Sequence, residues 1–446
     1  MIMEITQLAD IMRKSGVAGA GGAGFPSYAK LDKRADTIIL NCAECEPLLK
    51  LHRQVLEKYA VEIMTALDAI ADAVEAEQVI IAVKASYTGA VNAVKNNLSK
   101  FKKMKIGILP EIYPAGDEVI TIYETTGRVV APGCLPITVG VTVFNVETAL
   151  NVYNALTNGS GVTSKYITIA GEVKNPVTLK APLGITYGEL IKAAGGATIS
   201  EYAIVAGGPM TGRIASDSDV VTKTSNAVLV MPKNQYIVQR KTTPTDINMH
   251  RTMAACCQCH MCTDLCSRNL LGHPIEPHRF MRAVSNGITS DTNAYINTFF
   301  CSSCGLCEMY SCGQGLAPAS LIAIAKGSLR KNGVTPPKDA KLEHVNPQRD
   351  YRRVPMGRLT ARLGLTKYNV PAPLKDELVK ADSVKIMLSQ CIGAPSVLAV
   401  KAGDVVKIGD VIGNAPEGKL GTAVHSSVNG VVSEANDKFV VIRADA

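Results

Sequence analysis

Tryptophan is absent from this chain of 446 residues, and aromatic residues make up only 5% of it. No stretch approaches the roughly 20 apolar residues that a spanning helix requires. The reading is therefore a soluble or peripheral protein with no direct membrane insertion. Residues 1–16 have no apolar core of the secretory type and carry Glu4 and Asp10 early, which points to the cytoplasm. Charge of one sign is also scarce, except in one place. The formal net charge is +8, and residues 326–367 hold eleven Lys and Arg against Asp339, Glu343 and Asp350. With no aromatic stacking platform beside it, that block reads as a solvated face or linker. It could equally pack beside a thiolate-rich centre and offset its charge. No nucleic-acid partner is expected.

What the chain does have is cysteine, thirteen of them. In a reducing compartment these are more useful as metal ligands than as disulfides. Eight fall into two runs, Cys256-x2-Cys259-x2-Cys262-x3-Cys266 and Cys301-x2-Cys304-x2-Cys307-x4-Cys312. The first has the bacterial ferredoxin spacing, in which the fourth Cys of each run ligates the other run's cluster. The second is one residue looser, and Ser267 and Gly313 stand where Pro commonly follows. The expectation is two [4Fe–4S] clusters, one on Cys256, Cys259, Cys262 and Cys312, the other on Cys301, Cys304, Cys307 and Cys266. Zinc prefers two pairs separated by a loop to three cysteines at equal steps. Cys257 adjoins a ligand but breaks the step; with Cys134 and Cys391 it is assigned to packing. His273 and His278, after the first run, read as structural neighbours of a cluster.

A chain of this length is expected to form several domains. Residues 1–160 read as α/β: strands at 37–40 and 79–83 alternate with helices at 61–74 and 88–98, implying a largely parallel sheet. Five glycines within residues 16–24 exclude a helix interior. They could bring backbone N–H groups close to a phosphate or simply form tight turns. A helix precedes them and Pro26 follows, so this is not the dinucleotide fingerprint. Past the first strand comes Asn41-Cys-Ala-Glu44-Cys-Glu46-Pro47, at the strand end where open α/β sheets bind ligands. Cys42 and Cys45 form a lone C-x2-C pair, a weak indication of a third metal or a redox disulfide. Gly116-Asp117-Glu118 and Asn145-Val-Glu147-Thr148 are two more polar knots at the ends of apolar segments.

The order Gly19-Ala-Gly21-Gly22-Ala-Gly24-Phe25-Pro, Asn41…Glu44…Glu46-Pro47, Gly116-Asp117-Glu118 and Asn145-Val-Glu147-Thr148 resembles that in the flavin-binding subunit of respiratory complex I. That subunit looks like a relative of the C subunit of the Rnf complex and of the microcompartment-associated cobalamin reductases. The similarity is closest to the last group and extends over essentially the whole chain, including Leu271-Gly-His-Pro-Ile-Glu-Pro-His278 after the first cysteine run. The resemblance implies that Gly19, Gly21, Gly22 and Gly24 wrap FMN, with Phe25 near the rings and Lys30 near the phosphate. It further implies that Asn41 and Asn145 hold the flavin. Glu44, Glu46, Gly116, Asp117, Glu118, Glu147 and Thr148 complete the flavin and NADH site. Ala43, Cys45 and Asp117 depart from the complex I pattern, which bears on NADH geometry more than on flavin binding.

The implied architecture is multidomain α/β: a Rossmann-like flavin domain (1–160), a soluble ligand-binding β-grasp module (161–243), a ferredoxin-like helical domain with two [4Fe–4S] clusters (244–335), a basic linker (336–380) and a C-terminal barrel-sandwich hybrid (381–446). That last module resembles biotinyl and lipoyl domains, but Val424-His425-Ser426-Ser427 stands where they carry the modified Lys, so covalent biotin or lipoate is rejected. In the Rnf protein this module comes first; here it comes last, which favours the reductases. The expected activity is oxidoreduction, with electrons passing from NADH through FMN and two [4Fe–4S] clusters to cobalamin. Cobalt goes from Co(III) to Co(II), with Co(I) as a further option, reactivating a B12-dependent enzyme such as diol dehydratase. The alternatives are the C subunit of an Rnf-type NADH:ferredoxin oxidoreductase and a microcompartment electron shuttle with a non-corrinoid acceptor. Expected partners are microcompartment shell proteins, the B12 enzyme or an adenosyltransferase, in the cytoplasm within a bacterial microcompartment serving propanediol utilisation. No side chain is assigned a proton-transfer role.

Overall fold

A computed structural model describes residues 3–338 and 340–445. After the helix Ile5–Lys14, which buries Leu8 and Met12, comes a four-stranded parallel sheet in the order Met104–Leu109, Gln78–Lys84, Thr37–Cys42, Val141–Asn145. Its strands read as near-continuous apolar runs because both faces are covered. Ile38, Leu40, Val79 and Ile81 pack with the helix Ala60–Val74 on one side. Ile39, Ile80 and Val143 pack with Ile120 and Ile122 of the helix Glu118–Thr126 on the other. The chain builds outward from the first strand to the third, then returns to place Val141–Asn145 on the first strand's free side. That reversal opens a crevice at the strand ends, between Asn41 and Asn145.

The β-grasp module forms a six-stranded sheet in the order Leu374–Leu378, Val177–Pro182, Ser164–Gly171, Ala227–Pro232, Tyr202–Ala206, Arg213–Ala215. Its helix Tyr187–Ala193 starts at a capping box between Thr186 and Glu189. The first strand of that order comes from the stretch read as linker. Residues 336–380 therefore do more than connect. Val354–Pro355 pairs with Ile112–Tyr113 of the flavin domain, the helix Met356–Arg362 follows, and Leu374–Leu378 runs parallel to Val177–Pro182. Much of the basic block is spent on ion pairs: Arg349 and Arg353 with Glu124, and Arg352 with Asp264.

The cysteine-rich domain packs the helices Pro277–Ser285 and Pro318–Lys331 around Phe280, Met281, Leu321 and Ile322. The C-terminal module is two small sheets around Val384, Ile386, Ile412, Val432, Val440 and Ile442. The segment that replaces the lysine hairpin is buried at a joint between modules. Ser427 donates to the Leu183 carbonyl at 2.6 Å, and Lys223 donates to the carbonyls of Gly16 and Ala423, both at 2.7 Å. Three modules thus meet on one ammonium. Among the described residues no helix is long and apolar enough to cross a membrane.

A candidate flavin cavity beside two cysteine cages

The crevice at the strand ends is a cavity of about 670 Å³ walled by three modules. The flavin domain contributes Gly21, Gly22, Asn41, Glu44, Glu46, Gly116, Asp117 and Asn145; the β-grasp module contributes the turns 206–213 and 220–226; the cysteine domain contributes Ser302, Ser303 and Cys304. The glycine loop closes on itself through Gly19 N–H to the Phe25 carbonyl at 2.9 Å. Thr148 Oγ1 accepts from Ala20 N–H at 2.9 Å. Among the described residues nothing accepts from the amides of Gly21, Gly22 and Ala23, which leaves donors free for an anionic group. Close approach explains Gly21: a Cβ there would lie 2.3 Å from Asn145 Nδ2.

Asn145 caps the helix Val146–Asn158, its Oδ1 accepting from Glu147 and Thr148 N–H. Its Nδ2 therefore donates, and His52 Nε2, 3.1 Å away, must accept. That tautomer fits a neutral ring, since burial lowers the His52 pKa to about 4. Asn41 braces the opposite wall, donating to the Gly116 carbonyl at 2.9 Å and accepting from Ala43 N–H at 3.1 Å.

The acidic residues divide by role. Burial would raise the Glu44 carboxyl, but Arg53, at 2.8 Å, and His52 outweigh it and hold it below its ordinary value. Burial prevails at Glu46, whose pKa is raised although it accepts from Met210 N–H, Thr211 N–H and Thr211 Oγ1. Asp117 caps the helix Glu118–Thr126 and takes Arg268 of the cysteine domain at 2.9 Å, so it ties the cavity wall to the cages.

Seven of the residues named from sequence do not line the cavity: Gly19, Gly24, Phe25, Lys30, Glu118, Glu147 and Thr148. Gly19, Phe25 and Thr148 shape the glycine loop. Lys30 is engaged with Glu118 at 3.0 Å and the Val143 carbonyl at 2.8 Å. Glu147 corrects the expectation outright. It is buried, ion-paired with Lys165 and accepts from Tyr166 N–H at 2.8 Å, so it bolts the β-grasp module to the flavin domain. His52, Ser302, Ser303 and the part of the 206–213 turn in the cavity wall escaped the sequence reading, and Cys304 was read as a cluster ligand alone. The one available signal was Gly207-Gly-Pro-Met-Thr-Gly212, where a Cβ on Gly208 would sit 2.0 Å from Glu46 Oε2.

The eight run cysteines form two neighbourhoods. Burial pushes the Cys262 thiol up to about 12, and Cys312, Cys259 and Cys256 beside it act in the same direction. Cys307 is raised by burial and then by Cys301, Cys304 and Cys266. Cys262 adds to the same rise, so the two neighbourhoods adjoin. Both runs turn in the same way. The second residue after the first cysteine (Gln258, Ser303) and the first after the second cysteine (His260, Gly305) all have positive φ, between 53° and 75°. Donors point at the sulfurs: Gln258 Nε2 to Cys256 at 3.2 Å, Ser303 N–H to Cys301 and Leu316 N–H to Cys312, both at 3.3 Å. Donors aimed at the half-buried sulfurs of Cys256, Cys301 and Cys312 suit thiolate ligation of iron–sulfur cores, whose potentials such bonds tune. Among the described residues no three His, Cys, Asp or Glu side chains are arranged around a single ion. His273 Nε2 donates to the Val130 carbonyl at 3.0 Å, and His278 pairs with Thr263 at 2.8 Å, both structural. Cys134 and Cys257 are exposed, so packing does not describe them; neither lies in an apolar core. All thirteen cysteines are free of disulfides, including Cys42 and Cys45.

Four family models match along the chain. Residues 12–154 match the Nuo51 FMN-binding domain, 166–214 the SLBB domain, 255–317 the 4Fe-4S dicluster domain and 372–445 the RnfC barrel sandwich hybrid domain. Fold and site together define a flavin and iron–sulfur oxidoreductase of multidomain α/β architecture. Over 443 residues the chain is 36% identical to cobalamin reductase PduS of Salmonella typhimurium, covering 99% of this chain and 97% of the relative. The Citrobacter freundii protein of that name is 36% identical over 97% of this chain and 95% of its own. The chain belongs to the cobalamin reductase PduS family. The C subunit of the Na⁺-translocating ferredoxin:NAD⁺ oxidoreductase complex of Acetobacterium woodii is 29% identical over 60% of this chain and 59% of its own length. An NAD⁺-reducing [NiFe]-hydrogenase superposes with a TM-score of 0.49 at 19% identity, over 75% of this chain and 64% of that one.

Proposed function

We propose that the chain takes hydride equivalents from NADH and passes electrons singly, by way of FMN and two [4Fe–4S] clusters, to cobalamin, reducing Co(III) to Co(II). A bound flavin supplies the exchange between two-electron and one-electron transfer. The chain's own residues position and insulate. The free amides of the glycine loop and neutral His52 with Asn145 suit a flavin phosphate and ring system. Cys304, Cys301, Cys307 and Cys266 are the ligands of the cluster near the flavin; Cys256, Cys259, Cys262 and Cys312 hold the one beyond it. Glu44, Glu46, Gly116 and Asp117 border the place for the nicotinamide nucleotide.

The observation that carries this reading is that Cys304 lines the same cavity as the glycine loop. Its carbonyl accepts from Tyr113 Oη at 2.5 Å, so the proximal cage is braced against the nucleotide crevice. The relatives' name supports cobalamin as acceptor; a microcompartment as the setting, and a corrinoid-dependent enzyme or its adenosyltransferase as recipient of the product, belong to the same proposal. An anaerobic titration of the holoprotein with NADH, with cob(III)alamin present, tests the reading. Stoichiometric cob(II)alamin formation that disappears when FMN is withheld is expected. Reduction that proceeds at the same rate without flavin would sink it.

A further inference from the structure

Behind the segment 44–49 lies a second cavity, of about 220 Å³, that the electron path does not use. It shares Glu44, Glu46 and Leu49 with the flavin cavity but opens on the other side of that segment, at the C-terminal ends of the strands Thr37–Cys42 and Gln78–Lys84. Such strand ends are where open parallel sheets seat ligands. Its lining carries the cations Lys50, Arg53 and Lys84 and the hydroxyls of Ser86, Thr360 and Thr366. Lys50 donates to Asn369, Arg53 to Glu44, Ser86 to Glu111 and Thr360 to the Met356 carbonyl, which leaves Lys84 and Thr366 uncommitted among the described residues.

Lys84 is the residue that ordinary packing does not explain. Its side chain is 1% exposed, and among the described residues its ammonium makes no hydrogen bond. The one carboxylate near it is Glu111, at 3.6 Å, beyond hydrogen-bonding distance. A buried ammonium with unsatisfied donors is costly unless an acceptor reaches it. The other carboxylates on this wall are occupied: Glu44 by Arg53 and His52 N–H, Glu46 by the 210–211 turn. Glu111 is 50% exposed, accepts from Ser86 and faces the ammonium without a hydrogen bond to it. It stands where a stronger anion would sit.

We propose that this cavity is a phosphoryl-binding site, with Lys84 as its buried anchor, Lys50 as its second cation and Glu111 as a displaceable internal stand-in. The phosphoryl group is either free inorganic phosphate or part of a nucleotide whose other end enters the adjoining flavin cavity. As a free-phosphate site it stands apart from the proposed function; its nucleotide-borne form rests on that reading.

Calorimetric titration of the holoprotein with inorganic phosphate, at ionic strength fixed with chloride, tests it. Saturable binding is expected. Lys84→Met should weaken it about tenfold or more, as loss of a charge-assisted contact does, whereas Glu111→Gln should tighten it. Should Lys84→Met fail to fold, Lys50→Ala reports the same weakening from a partly exposed position. Repeating the titration with NADH or NADPH already bound separates the sources. Competition identifies a nucleotide-borne phosphoryl group, and independent binding identifies free phosphate. No saturable phosphate binding, or affinity indifferent to all three substitutions, would overturn the proposal.

Discussion

At the scale of single residues, the cavity depends on contacts too close to tolerate one extra carbon. Gly21 rests on the Asn145 amide, and Asn145 fixes both the cap of its helix and the His52 tautomer. Gly21→Ala should therefore yield folded protein with cluster absorbance but little bound flavin, measured as the flavin-to-iron ratio after purification. Three buried imidazoles, His52, His273 and His425, have pKa values lowered by burial from 6.5 to about 4. The unfolded chain binds protons at these sites that the folded one refuses, so stability rises with pH between about 4 and 6.5 and falls on acidification. Each ring accounts for up to roughly 3 kcal/mol across that window. Urea midpoints followed from pH 7 to 4.5 should fall steeply, and less steeply in His425→Gln; identical slopes would contradict this. Glu147 shows where reading residues from sequence stops. It sits inside Asn145-Val-Glu147-Thr148, but only the fold reveals that Lys165, from the next module, turns its carboxylate away from the cavity.

At the scale of elements, what was legible followed from periodicity. Strands at 37–40 and 79–83 were readable because both faces are buried and the run is continuously apolar. The dicluster domain was legible because cluster chemistry dictates cysteine steps, and left-handed turns repeat in both runs, at Gln258, His260, Ser303 and Gly305. The strand Leu374–Leu378 was not legible: Leu-Lys-Asp-Glu-Leu is an edge strand with polar side chains outward, and it looks like linker. Its anchor is Asp376, which takes the hydroxyls of Tyr59 and Tyr166 and the Lys58 ammonium at 2.7 Å. Despite partial burial, Lys58 and the two tyrosines lower the Asp376 carboxyl to about 2. That stabilisation is fully present above the ordinary carboxylate pKa and is lost as pH falls toward 2. Asp376→Ala should cost about 1–3 kcal/mol and raise amide exchange selectively across residues 374–378. Unchanged protection there would show that the strand is held by other means.

At the scale of the whole molecule, order matters more than any one contact. The β-grasp module closes the cavity, the C-terminal module clamps Gly16 through Lys223, and Asp117 with Arg268 joins the cavity wall to the cysteine domain. These joints hold Cys304 at the cavity wall, while Cys257 and Cys259 are exposed. Cys259→Ala should lower iron content by about half and leave NADH-dependent flavin reduction unchanged. The most direct measurement is rapid anaerobic mixing of Cys304→Ala holoprotein with NADH and cob(III)alamin, followed at flavin, cluster and corrinoid wavelengths together. The flavin should bleach at the wild-type rate while cobalamin stays oxidised; cobalamin reduced as fast as in the wild type would mean that electrons leave by a route that bypasses the cages.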